Sequence, residues 1–186
     1  AKFNVFAVRA EELIEDRPDL IAAVGPLLKA RKAIEQQVSD LDRKVLKLAR
    51  HDGQVRRFMT APGVGPITAL CFKATIDDPT RFKRSRSVGA YVGLTARRHS
   101  SGEVDWSGRI SKCGDAMLRT YLFEAANVLL TRVPKWSALK AWGMRLAKRS
   151  GLRKAKIAVA RKLAVILHRM WVDGTEFNWS TKKAAA

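Results

Sequence analysis

The sequence predicts a mainly α fold: a helix-hairpin-helix and a C-terminal helical bundle with one small β-hairpin, preceded by a long coiled-coil-like helix. Three features of the 186 residues predict it. Apolar residues recur three or four positions apart along most of the chain, as on the buried face of a helix. A tight Pro-Gly-Val-Gly turn at 62–65 joins two apolar segments. The stretch 94–110 is polar, contains glycines and lacks helical periodicity.

The composition indicates a folded protein with a polyanionic partner. Hydrophobic residues make up 47% of the chain, which is more than a disordered sequence contains. The 36 Lys and Arg residues outnumber the 17 Asp and Glu residues, and the formal net charge of +19 is typical of nucleic-acid-binding domains. The sequence has no apolar run long enough to span a membrane and no signal-peptide pattern. We therefore expect a cytoplasmic protein that does not bind membranes.

The cysteines and histidines form no recognisable metal-binding pattern. Cys71 and Cys113 are 42 positions apart, and His51, His99 and His168 are scattered along the chain. Zinc ligands in proteins usually follow short and regular spacings. We therefore expect two reduced thiols, and no cofactor or metal bound by this chain.

The first part of the chain, 1–53, is expected to form a helical arm. Residues 11–23 predict a short helix that Gly25 and Pro26 end, because proline is poorly tolerated inside a helix. A long helix follows, with apolar residues in alternating steps of four and three: Ile34, Val38, Leu41, Val45 and Leu48. This stripe fits either a coiled-coil partner or packing on the chain's own domain. Gly53 is expected to end the helix.

The hairpin turn at 62–65 is a candidate phosphate site. Glycines permit so tight a turn, and Pro66 suits the first position of the following helix. Backbone amides at a helix start have no partner inside the helix, so a phosphate oxygen can accept them. Gly63, Val64 and Gly65 are therefore candidate nucleic-acid contacts. An ordinary turn between two helices is the alternative.

A basic segment follows, with four cations between residues 81 and 86 ahead of a short apolar helix through Tyr91. Such a run is usually a solvated face. Its position between the hairpin turn and a pair of serines favours contact with phosphate. Arg84 and Arg86 are the candidates.

Three helices are expected after the β-hairpin, in a domain that we place at 54–175, followed by a tail at 176–186. Asp115 can N-cap the first of them, which Pro134 stops. The apolar patterns of the other two include Trp136, Trp142 and Trp171. We interpret these tryptophans as core residues, with base stacking as the alternative.

The positive charge is concentrated in the last helices. The stretch 140–170 contains ten Lys and Arg residues and no acid, whereas nine of the 17 acids lie between residues 11 and 52. Such an asymmetry suggests an interaction surface. Arg153 and Lys154 are candidate nucleic-acid contacts there.

The segment RRHSSGEVDW, residues 97–106, contains a candidate nucleophile. A serine hydroxyl needs a base, a metal or a strong positive field to attack a phosphate. Arg97, Arg98 and Arg109 could supply that field and bind the phosphate oxygens. Lys112 is a further candidate phosphate contact. The nearby carboxylates are too few for a two-metal site. From these residues alone, a polar hairpin tip that binds backbone phosphate is favoured over catalysis.

Three motifs in a fixed order resemble a known family: MTAPGVGPITAL, DDPTRFKRSRSVGAYVGLTARRHSSGE and GRISKCGDAMLRTYLFEAA. From about Met59 to Trp171 the chain resembles the C-terminal transposase domain of certain bacterial insertion-sequence transposases. The N-terminal half of those proteins is a RuvC-like domain with an Asp-Glu-Asp-Asp metal site, and they are now described as bridge-RNA-guided recombinases. The long helix resembles the family's linker between domains.

The resemblance implies a serine recombination mechanism. The family's serine precedes the glycine of an SG motif, which corresponds to Ser101 here, with Ser100 as the alternative. It attacks a DNA phosphate and forms a 5′-phosphoserine link, while carboxylates of the N-terminal domain hold Mg²⁺. A guide RNA pairs with target and donor DNA, and the protein acts in the bacterial cytoplasm as a dimer that assembles into a tetramer.

The family's N-terminal domain is absent from these 186 residues, so we expect this chain alone to be inactive. A second hypothesis, from a different class, is a non-catalytic helix-hairpin-helix module that holds RNA or DNA.

Overall fold

The computed structural model describes residues 2–101 and 104–179, and the mainly α prediction is confirmed. The helices in these residues are α1 (Lys2–Ile14), α2 (Pro18–His51), α3 (Gly53–Met59), α4 (Pro66–Ile76), α5 (Arg86–Tyr91), α6 (Ala116–Thr131), α7 (Ala138–Ser150) and α8 (Leu152–Asp173). Strands β1 (Ala96–Ser101) and β2 (Val104–Ile110) pair in an antiparallel hairpin. None of the described helices combines the length and the apolar character needed to cross a bilayer.

The chain divides into two compact units between Val45 and Leu46. In the first unit, α1 and α2 contact each other where the Arg31 guanidinium lies 4.8 Å from the centre of the Phe6 ring. Arg31 also forms an ion pair with Glu35 one turn further along α2, at 2.6 Å.

The prediction that Gly25 and Pro26 end a short helix is wrong. Pro26 lies inside α2, which continues from Pro18 to His51. A proline inside a helix removes one hydrogen bond and disfavours the helical conformation. Here the long run of helix-forming residues after it extends the helix nevertheless, since each further residue adds a backbone hydrogen bond.

The stripe along α2 forms one helix, as predicted, and most of it is exposed. Ile34, Val38, Leu41 and Leu48 are exposed, and Val45 is half-buried. Within the described residues, most of this apolar stripe is therefore exposed to solvent.

The second unit is built around α8, which contacts α3, α5, α6 and α7. Its buried face carries Ala155, Val159, Ala160, Leu163, Ala164 and Leu167. Phe58 packs edge-on against Phe72 and Trp171, with ring centres 5.2 and 5.4 Å apart. These contacts join α3, α4 and α8 into one core.

Asp52 separates α2 from α3. Its carboxylate accepts hydrogen bonds from the amides of Gln54 and Val55, at 2.9 and 3.0 Å, and thereby N-caps α3. The long helix consequently ends at His51, and the prediction that Gly53 ends it is wrong because Gly53 is the first residue of α3. The predicted short helix, tight turn and second helix entered at Pro66 are confirmed as α3 and α4.

The last part of the second unit is fixed by caps. Asp115 N-caps α6, as predicted, by accepting from the Leu118 amide at 2.5 Å. Gly174, in the left-handed region, ends α8. Beyond it, Phe177 is buried, and its amide donates to the Thr60 hydroxyl at 2.9 Å. Of the described residues after 175, Phe177 and Trp179 therefore pack against the core of the second unit.

Candidate nucleic-acid interface

The β-hairpin presents Ser101 to solvent. Ser101 is exposed, ends β1, and pairs in register with Val104. The side chain of Ser100 lies outside the described part of the structure, as do residues 102 and 103. Arg97, Arg98 and Arg109 are exposed on the same two strands, so three predicted phosphate contacts and the predicted nucleophile share one hairpin.

The base of the hairpin is held by close backbone packing. Added β-carbons at Gly93 and Gly114 would overlap the backbones of Cys113 and Tyr91 respectively. Both glycines also have positive φ angles, 73° and 84°, that disfavour other residues. The Lys112 amide donates to the Gly93 carbonyl at 3.1 Å. This packing therefore fixes the segments just before β1 and just after β2 against each other.

Arg119 adds hydrogen bonds at the same place. Its guanidinium donates to the carbonyls of Val92, Cys113 and Asp115 at 3.1, 3.4 and 3.4 Å. One side chain of α6 thus links the segment before β1 to the segment after β2. Arg97 of β1 donates to the carbonyl of Ser111, the residue that follows β2, at 3.2 Å.

A pocket of about 540 Å³ opens beside the base of the hairpin, and we call it the basal pocket. Its exposed lining residues include four cations: Arg86, Lys154, Arg161 and Lys162. Its other lining residues are apolar or aromatic: Leu94, Ala96, Ile110, Trp142, Ile157, Ala158 and Val165. The pocket thus has a charged rim and a mostly apolar floor.

A second, smaller pocket of about 260 Å³ lies along α7, and we call it the α7 pocket. It is lined by Trp142, Arg145, Leu146 and Arg149. Trp142 lines both pockets and therefore stands between them.

The interpretation of the tryptophans as core residues is wrong for two of them. Trp136 and Trp142 are 53% and 37% exposed, whereas Trp171 is half-buried against Phe58. The reason lies in how α7 packs. A β-carbon on Gly143 would lie 2.7 Å from the side chain of Leu130, so α7 approaches α6 through this glycine and Trp142 is left at the edge.

The other predicted contacts lie in different places. Arg84 and Arg153 are exposed but do not line either pocket. Lys112 is exposed and has a positive φ of 58°. Of the cations predicted from the sequence, only Arg86 and Lys154 meet in the basal pocket.

The hairpin turn between α3 and α4 faces inward at its first glycine. A β-carbon on Gly63 would overlap the Ala125 carbonyl of α6. The Val64 amide donates to the Ala61 carbonyl at 3.1 Å, and the Val64 side chain is buried. Gly65 has nothing within 4 Å of an added β-carbon, so the open side of the turn is at this residue.

Sequence reasoning missed Arg161 and Lys162. They lie seven and eight positions after Lys154, which places all three on one face of α8. This spacing was the available signal. What the sequence could not show is that β1 and α5 cover the same face and turn it into a pocket.

Two polar contacts, made by Asp52 and His168, fix segments of the second unit. Burial by itself raises the pKa of Asp52, but the hydrogen bond from Lys73, the amides of Val55 and Gln54 and the Lys73 charge lower it below its ordinary value of 3.8. His168 is buried in α8, with Nδ1 3.0 Å from the Ser85 hydroxyl and Nε2 3.0 Å from the Pro79 carbonyl. The ring therefore anchors residues 79–85, which overlap the basic segment, to α8.

The described side chains provide no metal centre. Within residues 2–101 and 104–179, no three His, Cys, Asp or Glu side chains come together as a metal ion would require. Cys71 and Cys113 are both free thiols. The pKa of the Cys71 thiol is raised, mainly by burial. A raised pKa favours the protonated thiol over the thiolate.

Comparison with known proteins identifies the family. Residues 55–142 match the model of the transposase IS116/IS110/IS902 family. The chain is 36% identical over 171 residues to the transposase for insertion sequence element IS1111A of Coxiella burnetii, with 85% of this chain and 47% of the relative covered. It is 31% identical over 144 residues to the transposase for insertion sequence element IS1328 of Yersinia enterocolitica, with 77% of this chain and 43% of the relative covered.

The chain thus spans less than half the length of either relative. The matched region includes the hairpin turn, the basic segment, both strands with Ser101, and α6. The resemblance inferred from the three motifs is confirmed: the chain carries the transposase domain of the IS116/IS110/IS902 family of insertion-sequence transposases.

Proposed function

We propose that this domain cuts and rejoins DNA through Ser101 during RNA-guided recombination by the complete transposase. The observation that supports it most is the placement of Ser101. This exposed serine ends β1 of the β-hairpin, which also carries three exposed arginines, and the base of the β-hairpin lies beside the cationic basal pocket. DNA that is bound by the basal pocket and the β-hairpin has its backbone at the serine.

The proposed reaction is a transesterification. The Ser101 Oγ attacks phosphorus, an Oγ–P bond forms, and the bond from phosphorus to the 3′ oxygen breaks. The serine proton passes to a base and the leaving 3′ oxygen takes up a proton. A 3′ hydroxyl of the new partner strand then attacks the phosphoserine and releases Ser101, so the strand is resealed without a nucleotide cofactor.

The arginines of the hairpin have two roles in this proposal. Their positive field favours the deprotonated serine, and their guanidinium groups bind the phosphate oxygens as negative charge builds up in the transition state. Arg97 is already oriented by its hydrogen bond to Ser111.

The described residues of this chain do not fit a magnesium site. We therefore assign Mg²⁺ to the RuvC-like N-terminal domain that the resemblance implies, and no step above passes through it. Because this proposal places Mg²⁺ on that N-terminal domain, we expect the 186 residues alone to be inactive.

The proposed partners are DNA, a guide RNA, the N-terminal domain and further copies of the protein in the bacterial cytoplasm. Exposed Ile34, Val38 and Leu41 of α2 are available for the first dimer contact, because a stripe in steps of four and three matches a coiled-coil seam. Two such dimers then assemble into the tetramer.

The test is recombination by the full-length transposase with its guide RNA. Ser101→Ala is expected to abolish recombination, whereas Ser100→Ala is expected to leave a measurable rate. Removal of a nucleophile that acts with positioned partners costs several orders of magnitude in rate. Normal recombination by Ser101→Ala would overturn the assignment. Loss of recombination in Ser100→Ala would then move the nucleophile to Ser100, and activity in both variants would leave the domain as a nucleic-acid-binding module.

A further inference from the structure

The cations of the two pockets are available to an anionic ligand. Six exposed cations line them: Arg86, Arg145, Arg149, Lys154, Arg161 and Lys162. In the described part of the chain, none of the six forms an ion pair with an acidic side chain. Six like charges repel one another, so an anion that neutralises them is favoured.

The floor of the basal pocket suits an apolar planar group. Leu94 is buried, and Ile110, Ile157 and Val165 are half-buried, so a ligand would remove apolar surface from water there. The volume of about 540 Å³ lies in the ordinary range of small-molecule sites. A ligand with a flat apolar part and a negative part matches this floor and rim.

Trp142 connects the two pockets. Trp142 is 37% exposed and lines both of them, with Arg145 and Arg149 on one side and Lys154, Arg161 and Lys162 on the other. Alternation of cations and an exposed aromatic ring is the arrangement with which proteins hold single-stranded nucleic acid, since phosphates meet the cations and bases stack on the ring.

We infer that α7 and α8 hold a single strand, with one unpaired base in the basal pocket and Trp142 stacked against a neighbouring base. This inference rests on the proposed function only for the nucleic-acid partner. The bases of a duplex are stacked and paired, so a base enters the pocket only from an unpaired strand or after it has been flipped out. A recombination site contains such strands when its duplex is opened.

The test uses the 186-residue chain and oligonucleotides that carry 2-aminopurine, whose fluorescence falls when the base stacks. We compare a single-stranded DNA, a single-stranded RNA of the same sequence and the corresponding DNA duplex. Trp142→Ala is expected to weaken binding of the single strand by about 5- to 150-fold and to remove the quenching. Trp142→Phe is expected to restore part of both.

The matched control is Trp136→Ala, which removes another exposed tryptophan, from just before α7, that lines neither pocket. It is expected to change single-strand affinity less than twofold. A second pair of changes, Lys154→Gln with Lys162→Gln, leaves Trp142 in place. It is expected to weaken binding and to reduce the slope of log affinity against log salt by about 1 to 2.

Equal losses for Trp142→Ala and Trp136→Ala, equal losses for single strand and duplex, or unchanged quenching in Trp142→Ala would each overturn the inference. Tighter binding of the DNA or of the RNA strand identifies which strand occupies the site. Ser101→Ala is expected to bind and quench normally, so failure of the serine mechanism and failure of the single-strand site are distinguishable.

Discussion

Gly63 lies against the backbone of Ala125, so closely that a β-carbon at residue 63 would overlap the Ala125 carbonyl oxygen. The φ angle of Gly63 is also positive, at 82°. The tight turn between α3 and α4 is thus the point at which this pair of helices docks on α6. The first glycine of the turn has a packing role, and the open side at Gly65 is where an external phosphate would have to bind.

Gly63→Ala is expected to destabilise the domain by about 1–3 kcal/mol, because alanine is strained at this φ angle and its β-carbon has no room. Gly65→Ala is the matched control, since its φ of −92° suits alanine and its surroundings are open. Urea unfolding followed by circular dichroism measures both. A Gly63→Ala protein as stable as Gly65→Ala would contradict the docking role.

Asp52 has two structural roles that two substitutions separate. Asp52→Ala removes the N-cap of α3 and the charge partner of Lys73, and is expected to cost about 0.5–2 kcal/mol. Asp52→Asn keeps an oxygen for the amides of Gln54 and Val55 and is expected to cost less. Free energies of unfolding from urea titrations at pH 7 measure the difference.

The same pair predicts a pH dependence. Because the folded pKa of Asp52 is lowered, its charge stabilises the fold above its ordinary pKa of 3.8, and this contribution is lost as the pH falls through the lowered value. The amount by which the free energy of unfolding of the unmodified chain exceeds that of Asp52→Asn is therefore expected to shrink between about pH 5 and pH 2. A constant difference over this range would contradict the Asp52–Lys73 interaction.

His168 is expected to stabilise the basic segment through two hydrogen bonds. His168→Leu leaves the Ser85 hydroxyl and the Pro79 carbonyl without this partner, and a cost of about 1–3 kcal/mol is expected. Ser85→Ala removes only one of the two bonds and is expected to cost less. Thermal unfolding of both variants and of the double variant gives their coupling. Independent, additive effects would show that the Ser85 bond contributes nothing.

Lys112 offers a charge that can be removed without strain. Its positive φ of 58° suits glycine or asparagine, so Lys112→Asn is expected to fold normally. If Lys112 contacts phosphate, this change weakens DNA binding at low salt and reduces the salt slope by about 1. Lys44→Asn, which removes an exposed lysine of α2, is the control for lost charge alone. Equal effects of the two changes would contradict a specific contact by Lys112.

Features encoded by neighbouring residues could be predicted from the sequence. The turn before Pro66, the N-cap at Asp115 and the β-hairpin depend on a few adjacent residues, and the structure confirms each. The prediction at Pro26 is wrong because the local preference of proline against a helix interior is outweighed by the long helix around it.

Features made by distant segments could not be predicted in this way. The basal pocket joins Arg86 of α5, Ile110 of β2 and Lys154 of α8, which only the packed fold brings together. The exposure of Trp142 likewise depends on the small residue Gly143, whose approach to Leu130 sets the position of α7. The apolar spacing of α7 gave no sign of which residues this approach would leave in solvent.

We expect Ser101 to become covalently joined to DNA, and peptide mapping of the adduct checks this. The full-length transposase, its guide RNA and Mg²⁺ are incubated with a DNA site in which sulfur replaces the 3′ oxygen at the cut, because the released thiol reseals poorly. Mass spectrometry of the digested adduct is expected to place a 5′-phosphate-linked nucleotide on Ser101. An adduct on Ser100 or on any other residue, or no adduct from a complex shown to assemble, would contradict it.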